Sequence, residues 1–487
     1  MSLQEALAKN AELEKKLSEQ TEAYNALKAQ LDQLQKLIFG SKKERFITEE
    51  NPLQLSLFSN GENTEVELPL IEKQRISYER KTPKPHPGRN EIPDHLPVQE
   101  VIIEPEEDIT ALVKIGEERT ETLEYTPASL VKKITIRPKY AKKDGEGVII
   151  GKLPTRPIEK GIAEASLLAH IIVSKMVDHL PFYRQIEIFK RDFQWEVNSS
   201  TINDWFVSCC TLIEPLYQVL EQQVLKSGYI QADESPIRVL DKDKEGSSHQ
   251  GYMWVFHSPE RKTVLFKYSK GRGDNLVKDL LRGFEGIVQC DGYAAYDKLP
   301  IVNPKIKLAG CLAHVRRKFY EAQTNDKQRS EDALTKIQNI YALERKAKEM
   351  DYEQRKEYRI EHVKPILEDL KTFAEKTALE VTPKSQIGKA VGYLLNQMHK
   401  MATIIEHGNV EMDNNLIENK IRPLALGRKN YMFAGSHDGA ERLAMMYSFM
   451  ATCKANGINP YEWLKNTLEV IPDTKLSDLE KLLPGNM

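Results

Sequence analysis

Two short segments of this chain repeat one pattern. Gly228-Tyr229-Ile230-Gln231-Ala232-Asp233 and Gly286-Ile287-Val288-Gln289-Cys290-Asp291 each read glycine, two large apolar residues, glutamine, a small residue and aspartate. Such runs predict strands bounded by turn residues, each with a carboxylate at its end. Neighbouring strands lie about 4.8 Å apart, so two such carboxylates at one level can share a divalent cation. Mg²⁺ takes one or two carboxylates together with water and phosphate oxygens, and two ions about 3.5–4 Å apart support phosphoryl transfer. Aspartates that only cap turns leave the same trace in a sequence. A third acid would complete the set. The candidate is Glu418, in Asp413-Asn414-Asn415-Leu416-Ile417-Glu418-Asn419-Lys420-Ile421-Arg422-Pro423, with Asp413 as the cap of its helix. Its local alternative is an ion pair with Arg422, four residues on, the favourable order on a helix.

Basic stretches lie near these acids. From Asn419 to His437 there is no acid, while Lys420, Arg422, Arg428 and Lys429 precede Asn430-Tyr431-Met432-Phe433. A basic, aromatic stretch beside a metal site suits a DNA strand entering it. Lys132, Lys133, Arg137, Lys139, Lys142 and Lys143 cluster around Tyr140, a run able to follow a phosphate backbone or to form a solvated strand face. Cys311-Leu312-Ala313-His314-Val315-Arg316-Arg317-Lys318-Phe319 starts a basic helix, with Arg316 and Arg317 as further DNA-contact candidates. Cys311 and His314 have a metal-like spacing, but a buried cysteine and a hydrogen-bonded histidine are the plainer reading.

The elements that must hold these groups follow from pattern. Gly251–Phe256 and Thr263–Tyr268 form an expected hairpin between the two aspartate strands, and a helix over about 274–281 precedes the second. This gives a mixed sheet with helices packed on it, over residues 227–440. Within it, about 320–405 reads as a helical insertion, with Thr382-Pro383 opening a helix whose stripe is Ile387, Val391, Leu394 and Met398. Upstream, 156–226 is helical. A helix from Leu180 to about Phe193, a break at Gln194–Asn198 and a helix capped by Ser199 or Ser200 and running to Leu225 make a helix-turn-helix pattern. Residues 98–155 read as a small β-rich module, with strands at Val101–Ile103, Thr122–Tyr125 and Val131–Ile136 and turns at Gly145 and Gly147. Residues 46–97 form a Pro-rich linker. Residues 1–45 carry a heptad, Leu3, Ala6, Asn10, Leu13, Leu17, Gln20, Tyr24, Leu27, Leu31, Leu34 and Ile38, which predicts a coiled coil that joins copies of the chain. Residues 441–487 are a C-terminal helical region. The fold class is thus multidomain α/β.

Composition narrows the classes. The 487 residues are 40% hydrophobic and 29% charged, with 70 Lys and Arg against 72 Asp and Glu for a net charge of −2. DNA contact must therefore come from local patches rather than overall charge. Five cysteines without a CxxC pair exclude a disulfide scaffold and a structural zinc finger. The longest apolar run, Ile162 to Val177, is broken by Glu164, His170 and Lys175. With no signal-peptide core at the start, the expected location is the cytoplasm, with no membrane partner.

Taken together, these segments resemble the large transposase of the insertion sequence 66 family. The resemblance is carried by Ala232-Asp233-Glu234-Ser235, Cys290-Asp291-Gly292-Tyr293, the Cys311–Phe319 segment, Asp413-Asn414-Asn415 with Glu418, Ile421-Arg422-Pro423, Gly427-Arg428-Lys429-Asn430 and Phe433-Ala434-Gly435-Ser436. Phe39-Gly40-Ser41-Lys42 and Leu180-Pro181-Phe182-Tyr183-Arg184-Gln185 fit it as well, so it covers nearly the whole chain. It implies a ribonuclease H-like catalytic domain in which Asp233, Asp291 and Glu418 hold two Mg²⁺ (or Mn²⁺) ions. It also implies water attack at the element end and transfer of the freed 3′-hydroxyl into target DNA. Small accessory proteins of the same element are implied as partners, beside the DNA of ends and target. Many relatives carry a Cys-rich zinc module before the helix-turn-helix. Here the corresponding stretch, roughly 104–143, has no cysteine, so no structural zinc is expected. Two other readings keep the same elements: a DNA-binding regulator with a vestigial site, and a structure-specific nuclease of the same fold.

Overall fold

A computed structural model of the chain describes residues 129–134, 139–141, 148–150, 155–240 and 248–486. The expected coiled coil, the Pro-rich linker and most of the β-rich module lie outside these residues, as does Arg137. The described part is mixed α/β, with helix in the majority.

Strands β1 (Lys139–Ala141) and β2 (Val148–Ile150) pair antiparallel, Tyr140 opposite Ile149, on either side of the glycines expected to turn the chain. No strand forms over 129–134, so the expected strand from Val131 is absent in its described part. All six residues of that stretch are exposed, so no apolar face is buried, and an isolated strand without a partner has no hydrogen bonds to gain.

Three helices follow: α1 (Ala165–Met176), α2 (Phe182–Phe193) and α3 (Ser199–Leu225). The break between α2 and α3 falls where the sequence puts it, with Gln194 in the left-handed region. Asn198, not Ser199 or Ser200, is the N-cap residue, and it makes no side-chain cap bond. Helix α3 is a core element, its Ile202, Cys209, Cys210, Ile213, Leu216 and Leu220 buried in one cluster with the central sheet. Tyr217 fixes it to the sheet by donating its hydroxyl to the Phe266 carbonyl.

The sheet is built from β3 (Tyr229–Leu240), β4 (Ser248–Ser258), β5 (Thr263–Ser269), β6 (Gly286–Gln289) and β7 (Ile306–Ala309), in the order β5-β4-β3-β6-β7. The first three form an antiparallel meander that contains the expected hairpin, and β6 and β7 add parallel to β3. Helix α4 (Asn275–Leu280) and two single turns, α5 (Ala294–Asp297) and α6 (Leu299–Val302), supply the crossovers.

After β7 comes the helical insertion: α7 (Leu312–Ala322), α8 (Lys327–Ala347), α9 (Tyr352–Tyr358), a π-helical turn at Arg359–Val363, α10 (Lys364–Glu380) and α11 (Gln386–Glu406). Ser385, rather than Thr382, caps α11, its hydroxyl accepting from the Gly388 N–H at 3.1 Å. The insertion has a second apolar core, and Ile387, Val391 and Leu394 of the expected stripe are buried in it together with Tyr229, Ile287 and Ala309 of the sheet. Helix α12 (Asn415–Tyr431) then returns along β3. Helices α13 (His437–Ala455) and α14 (Pro460–Val470) close the C-terminal end. Among the described residues no helix is long and apolar enough to cross a membrane.

Candidate active site

The repeated motif explains the sheet register. Tyr229 stands opposite Ile287, Ile230 opposite Val288 and Gln231 opposite Gln289, so the two segments align residue for residue. Asp233 and Asp291 each follow the paired glutamines by two, which brings them to one level. Gly286 permits this start. Its φ is +146°, and a Cβ there would meet the Gly228 carbonyl at 2.2 Å.

The two aspartates are not equivalent. Asp291 lies just beyond the end of β6, its Oδ1 accepting from the Tyr293 N–H at 2.9 Å. Asp233 is inside β3, which continues seven residues past it to Leu240, so the expected strand end at Asp233 is corrected. Beyond Gln231, the side of β3 that faced β6 has no strand partner until Val239 bridges Ala434. That gap is where α12 packs and where the acids gather.

A buried amide network positions α12. Tyr229 Oη donates to Gln289 Oε1 at 2.5 Å, and Gln231 Nε2 donates to the same oxygen at 2.9 Å. Gln289 Nε2 reaches the carbonyls of Gly310 and Glu411 at 2.8 Å each, and Gln231 Nε2 reaches that of Asp413 at 3.2 Å. The two glutamines thus satisfy backbone groups of the loop that leads into α12, in a core where an unpaired polar group is costly. Asp413, expected as the helix cap, sits one residue earlier than the cap position. Asn414 is the N-cap residue, while Asp413 accepts from the Asn415 N–H at 3.1 Å and from Tyr341 Oη at 3.0 Å.

Glu418 lies in the first turn of α12, half-buried. His314 Nε2 lies 3.9 Å from the Glu418 Oε1, a contact that becomes an ion pair only when the imidazole is protonated; the Arg422 alternative is not formed. His314 is on α7, its Nδ1 buried without a partner. Burial lowers its pKa, against the pull of Glu418 and Asp291. Cys311, at the N-cap of α7, is buried and accepts from the Asn414 N–H at 3.4 Å. The cysteine is thus structural, whereas the histidine faces the acids and is not fully hydrogen-bonded as the sequence suggested.

The three acids are coupled electrostatically, by repulsion. Burial first, then the carboxylates of Glu234 and Asp291, and more weakly Glu418, hold Asp233 well above the usual carboxylate range. Glu234 was not singled out in the sequence. The two-residue period of a strand turns it to the opposite face from Asp233, where Arg272 Nε and Nη2 bind Oε1 at 3.0 and 2.6 Å and Tyr296 Oη donates to Oε2 at 2.9 Å. Arg272 also lies 4.0 Å over the Tyr293 ring. Only its adjacency to Asp233 could have flagged it. All three candidate ligands are hard oxygen donors, the type that suits Mg²⁺ or Mn²⁺. Their mutual repulsion at Asp233 is what a cation would relieve. Among the described residues, however, no three His, Cys, Asp or Glu side chains already form a closed metal-binding group.

The candidate DNA contacts are scattered. Lys132 and Lys133 are exposed, with Lys133 4.0 Å from Glu164. Lys139 lies in β1. Arg316 and Arg317 are half-buried on the helix of His314. On α12, Arg422 and Lys429 are exposed. Lys420 is half-buried within electrostatic reach of Lys454, and burial lowers its pKa. Arg428 turns inward, donating Nη1 to Ser235 Oγ at 3.1 Å and to the Pro236 carbonyl. Its guanidinium is therefore used to brace α12 on β3.

A mixed sheet carries Asp233 on β3 and Asp291 just past β6, and the helix of Glu418 packs against it; sequence comparison gives the family. Residues 160–442 match the family profile described as Transposase IS66 family, 448–484 match the IS66 C-terminal element, and 26–101 match Transposase C of IS166 homeodomain. The chain belongs to the IS66 transposase family. Its relatives include two Sinorhizobium fredii proteins, each titled an uncharacterized protein. One, y4qI, is 32% identical over 93% of this chain and 87% of its own length; the other, y4jD, is 31% identical over 94% of both.

Proposed function

We propose that this protein is a DNA transposase that cleaves the ends of its insertion sequence and transfers the freed 3′-hydroxyl into target DNA. The reading is supported by the register that pairs Gln231 with Gln289, two residues before Asp233 and Asp291, and by the charge coupling of Asp233 to both Asp291 and Glu418. The sheet order, an antiparallel meander followed by two parallel strands, fits a ribonuclease H-like domain. In this reading Asp233, Asp291 and Glu418 hold divalent cations, Mg²⁺ or Mn²⁺. When bound, such ions neutralise phosphate charge and help activate the attacking and leaving oxygens. His314 packs against Glu418 and limits its swing. The Glu234–Arg272 pair fixes the strand on which Asp233 rides. Arg422 and Lys429 are free to meet phosphates. One phosphodiester replaces another in strand transfer, so no nucleotide triphosphate is consumed.

The test is incubation of the full chain with Mg²⁺ or Mn²⁺ and duplex DNA carrying the element's own ends, beside Glu418→Gln. Metal-dependent cleavage with joined products, lost in the variant, is the expected result. Cleavage without joining would indicate a nuclease. Binding with no cleavage would indicate a regulator or a requirement for accessory proteins. A Glu418→Gln protein as active as the wild type would remove Glu418 from the site.

A further inference from the structure

The end of α12 carries a feature that cleavage chemistry does not use. Tyr431, Met432 and Phe433 form a three-residue γ-turn in which the Phe433 N–H donates to the Tyr431 carbonyl at 2.7 Å. Met432 has φ +59° and ψ −41°, a strained conformation for a residue with a Cβ. The turn holds two large apolar side chains in solvent, Met432 67% and Phe433 40% exposed.

Both sides of the turn are anchored. On one side α12 is braced to β3 by Arg428. On the other, the Ala434 N–H donates to the Arg238 carbonyl at 2.8 Å, and the Leu240 N–H donates to the Ala434 carbonyl at 2.9 Å. Two residues further on, Ser436 caps α13. The tip is thus a fixed protrusion rather than a loose loop. Strain and apolar exposure persist in a folded protein only where something over-determines them, and such positions cluster at functional sites.

The surroundings indicate the partner. Lys429 and Arg422 are exposed on α12, and no acid occurs from Asn419 to His437. The start of α2 adjoins the tip: Arg184 Nη1 donates to Asn430 Oδ1 at 3.0 Å, and Tyr183 beside it is 58% exposed. An apolar point with basic flanks matches duplex DNA, where phosphates meet the cations and Met or Phe side chains insert between base steps.

We infer that Met432 and Phe433 form a wedge that enters a base step of the bound duplex and unstacks it. This rests on the transposase reading. Val239, opposite Ala434, is six residues along β3 from Asp233, about 20 Å at strand rise. With the duplex laid along β3, at about 3.4 Å per base pair, the opened step falls about six base pairs from the phosphate at the acids.

The experiment uses the full chain with duplexes of the element's ends that carry 2-aminopurine at successive positions. The wild type is expected to raise fluorescence at one step, about six base pairs from the cut. In Met432→Ala/Phe433→Ala that rise and the cleavage rate fall roughly tenfold or more, whereas binding falls by less than tenfold. Met432→Leu, which keeps an apolar point, retains the rise, and a mismatch placed at the step restores cleavage by the double variant. Cleavage by a wild type that leaves every base stacked overturns the wedge while leaving the transposase reading intact. An equal rise in the double variant overturns it too. So does a variant whose loss appears as a smaller oligomer in sedimentation, which would make the tip a contact between copies. A wild type that binds no duplex overturns both readings.

Discussion

Two clusters of buried or half-buried charge lie close together in this protein, and they are built on opposite principles. In the insertion, Glu344 meets Arg359 at 2.7 and 2.9 Å and Arg355 at 3.0 Å, and Arg355 goes on to Glu411 at 3.2 Å. The remaining Arg359 donor reaches the carbonyls of Ile404 and His407, both at 2.9 Å. Burial would raise the pKa of Glu344, but the two guanidiniums overcome it and hold the carboxyl below its ordinary range. Around Asp233 the acids instead face one another, and burial with like charge holds Asp233 well above its range. The first cluster balances its charges within the chain, although Arg355 Nε is buried without a partner, and Glu411 belongs to the loop that delivers α12. In the second, Asp233 faces like charge with no cation paired to it among the described residues. Carboxylates in the two clusters therefore differ in what faces them.

The contrast can be broken most sharply at the second cluster. Asp233→Asn removes the acid under the greatest repulsion. Metal-dependent cleavage should fall on the order of 10³-fold with no loss of thermal midpoint, because no ion pair is lost. An unfolded or markedly less stable variant would mean that Asp233 is structural. At the first cluster the outcome should reverse. Arg359→Met leaves Glu344 buried with only Arg355, and breaking a buried pair costs about 3–5 kcal/mol, read as a lower urea midpoint. Loss of cleavage should follow the loss of folded protein.

Much of this division was legible in the sequence, for definite reasons. The repeated Gly-to-Asp segments matched the register because the paired stretches are apolar with the same offset, so pairing them alike buries both. The glutamines within them were visible, but not their role, because two of the carbonyls they bind, those of Glu411 and Asp413, lie beyond a long insertion. The continuation of β3 past Asp233 was hidden by Pro236, which argues against a central strand. It is tolerated because β6 has already ended there. The placement of the buried Glu234 side chain on the opposite face follows from that same missed continuation. The pairing of His314 with Glu418 joins α7 to α12 across the insertion, a contact no local spacing records.

A third test asks whether the acid cluster depends on packing rather than charge. A Cβ at Gly427 would lie 2.4 Å from Tyr447 Oη and 2.8 Å from the Tyr431 ring, so Gly427→Ala must displace these buried rings or α12 itself. Overpacking of this kind costs about 1–3 kcal/mol. Cleavage should fall further than the fraction of folded protein does, because Glu418 and the tip ride on the same helix. Activity that simply tracks stability would show that α12 can move without disturbing the acids.

The smallest effect is expected at Lys175, a cation that belongs to neither cluster. It lies 4.2 Å over the Phe182 ring and 5.3 Å from that of Tyr431, and burial lowers its pKa from 10.5 to about 8. Aromatic faces compensate a cation only in part. Between about pH 8 and 10.5 the unfolded chain binds more protons at this residue than the folded one, so its contribution to stability rises with pH across that window. Below it the folded state bears the full cost of the buried charge. Lys175→Met should therefore stabilise the protein near neutral pH by roughly 1–2 kcal/mol, less than the full shift implies because the side chain is still partly in water. The gain should shrink to nothing by the top of the window. A gain that does not change with pH would mean that methionine simply packs better. A loss at neutral pH would mean that the two rings hold the ammonium more strongly than burial disfavours it.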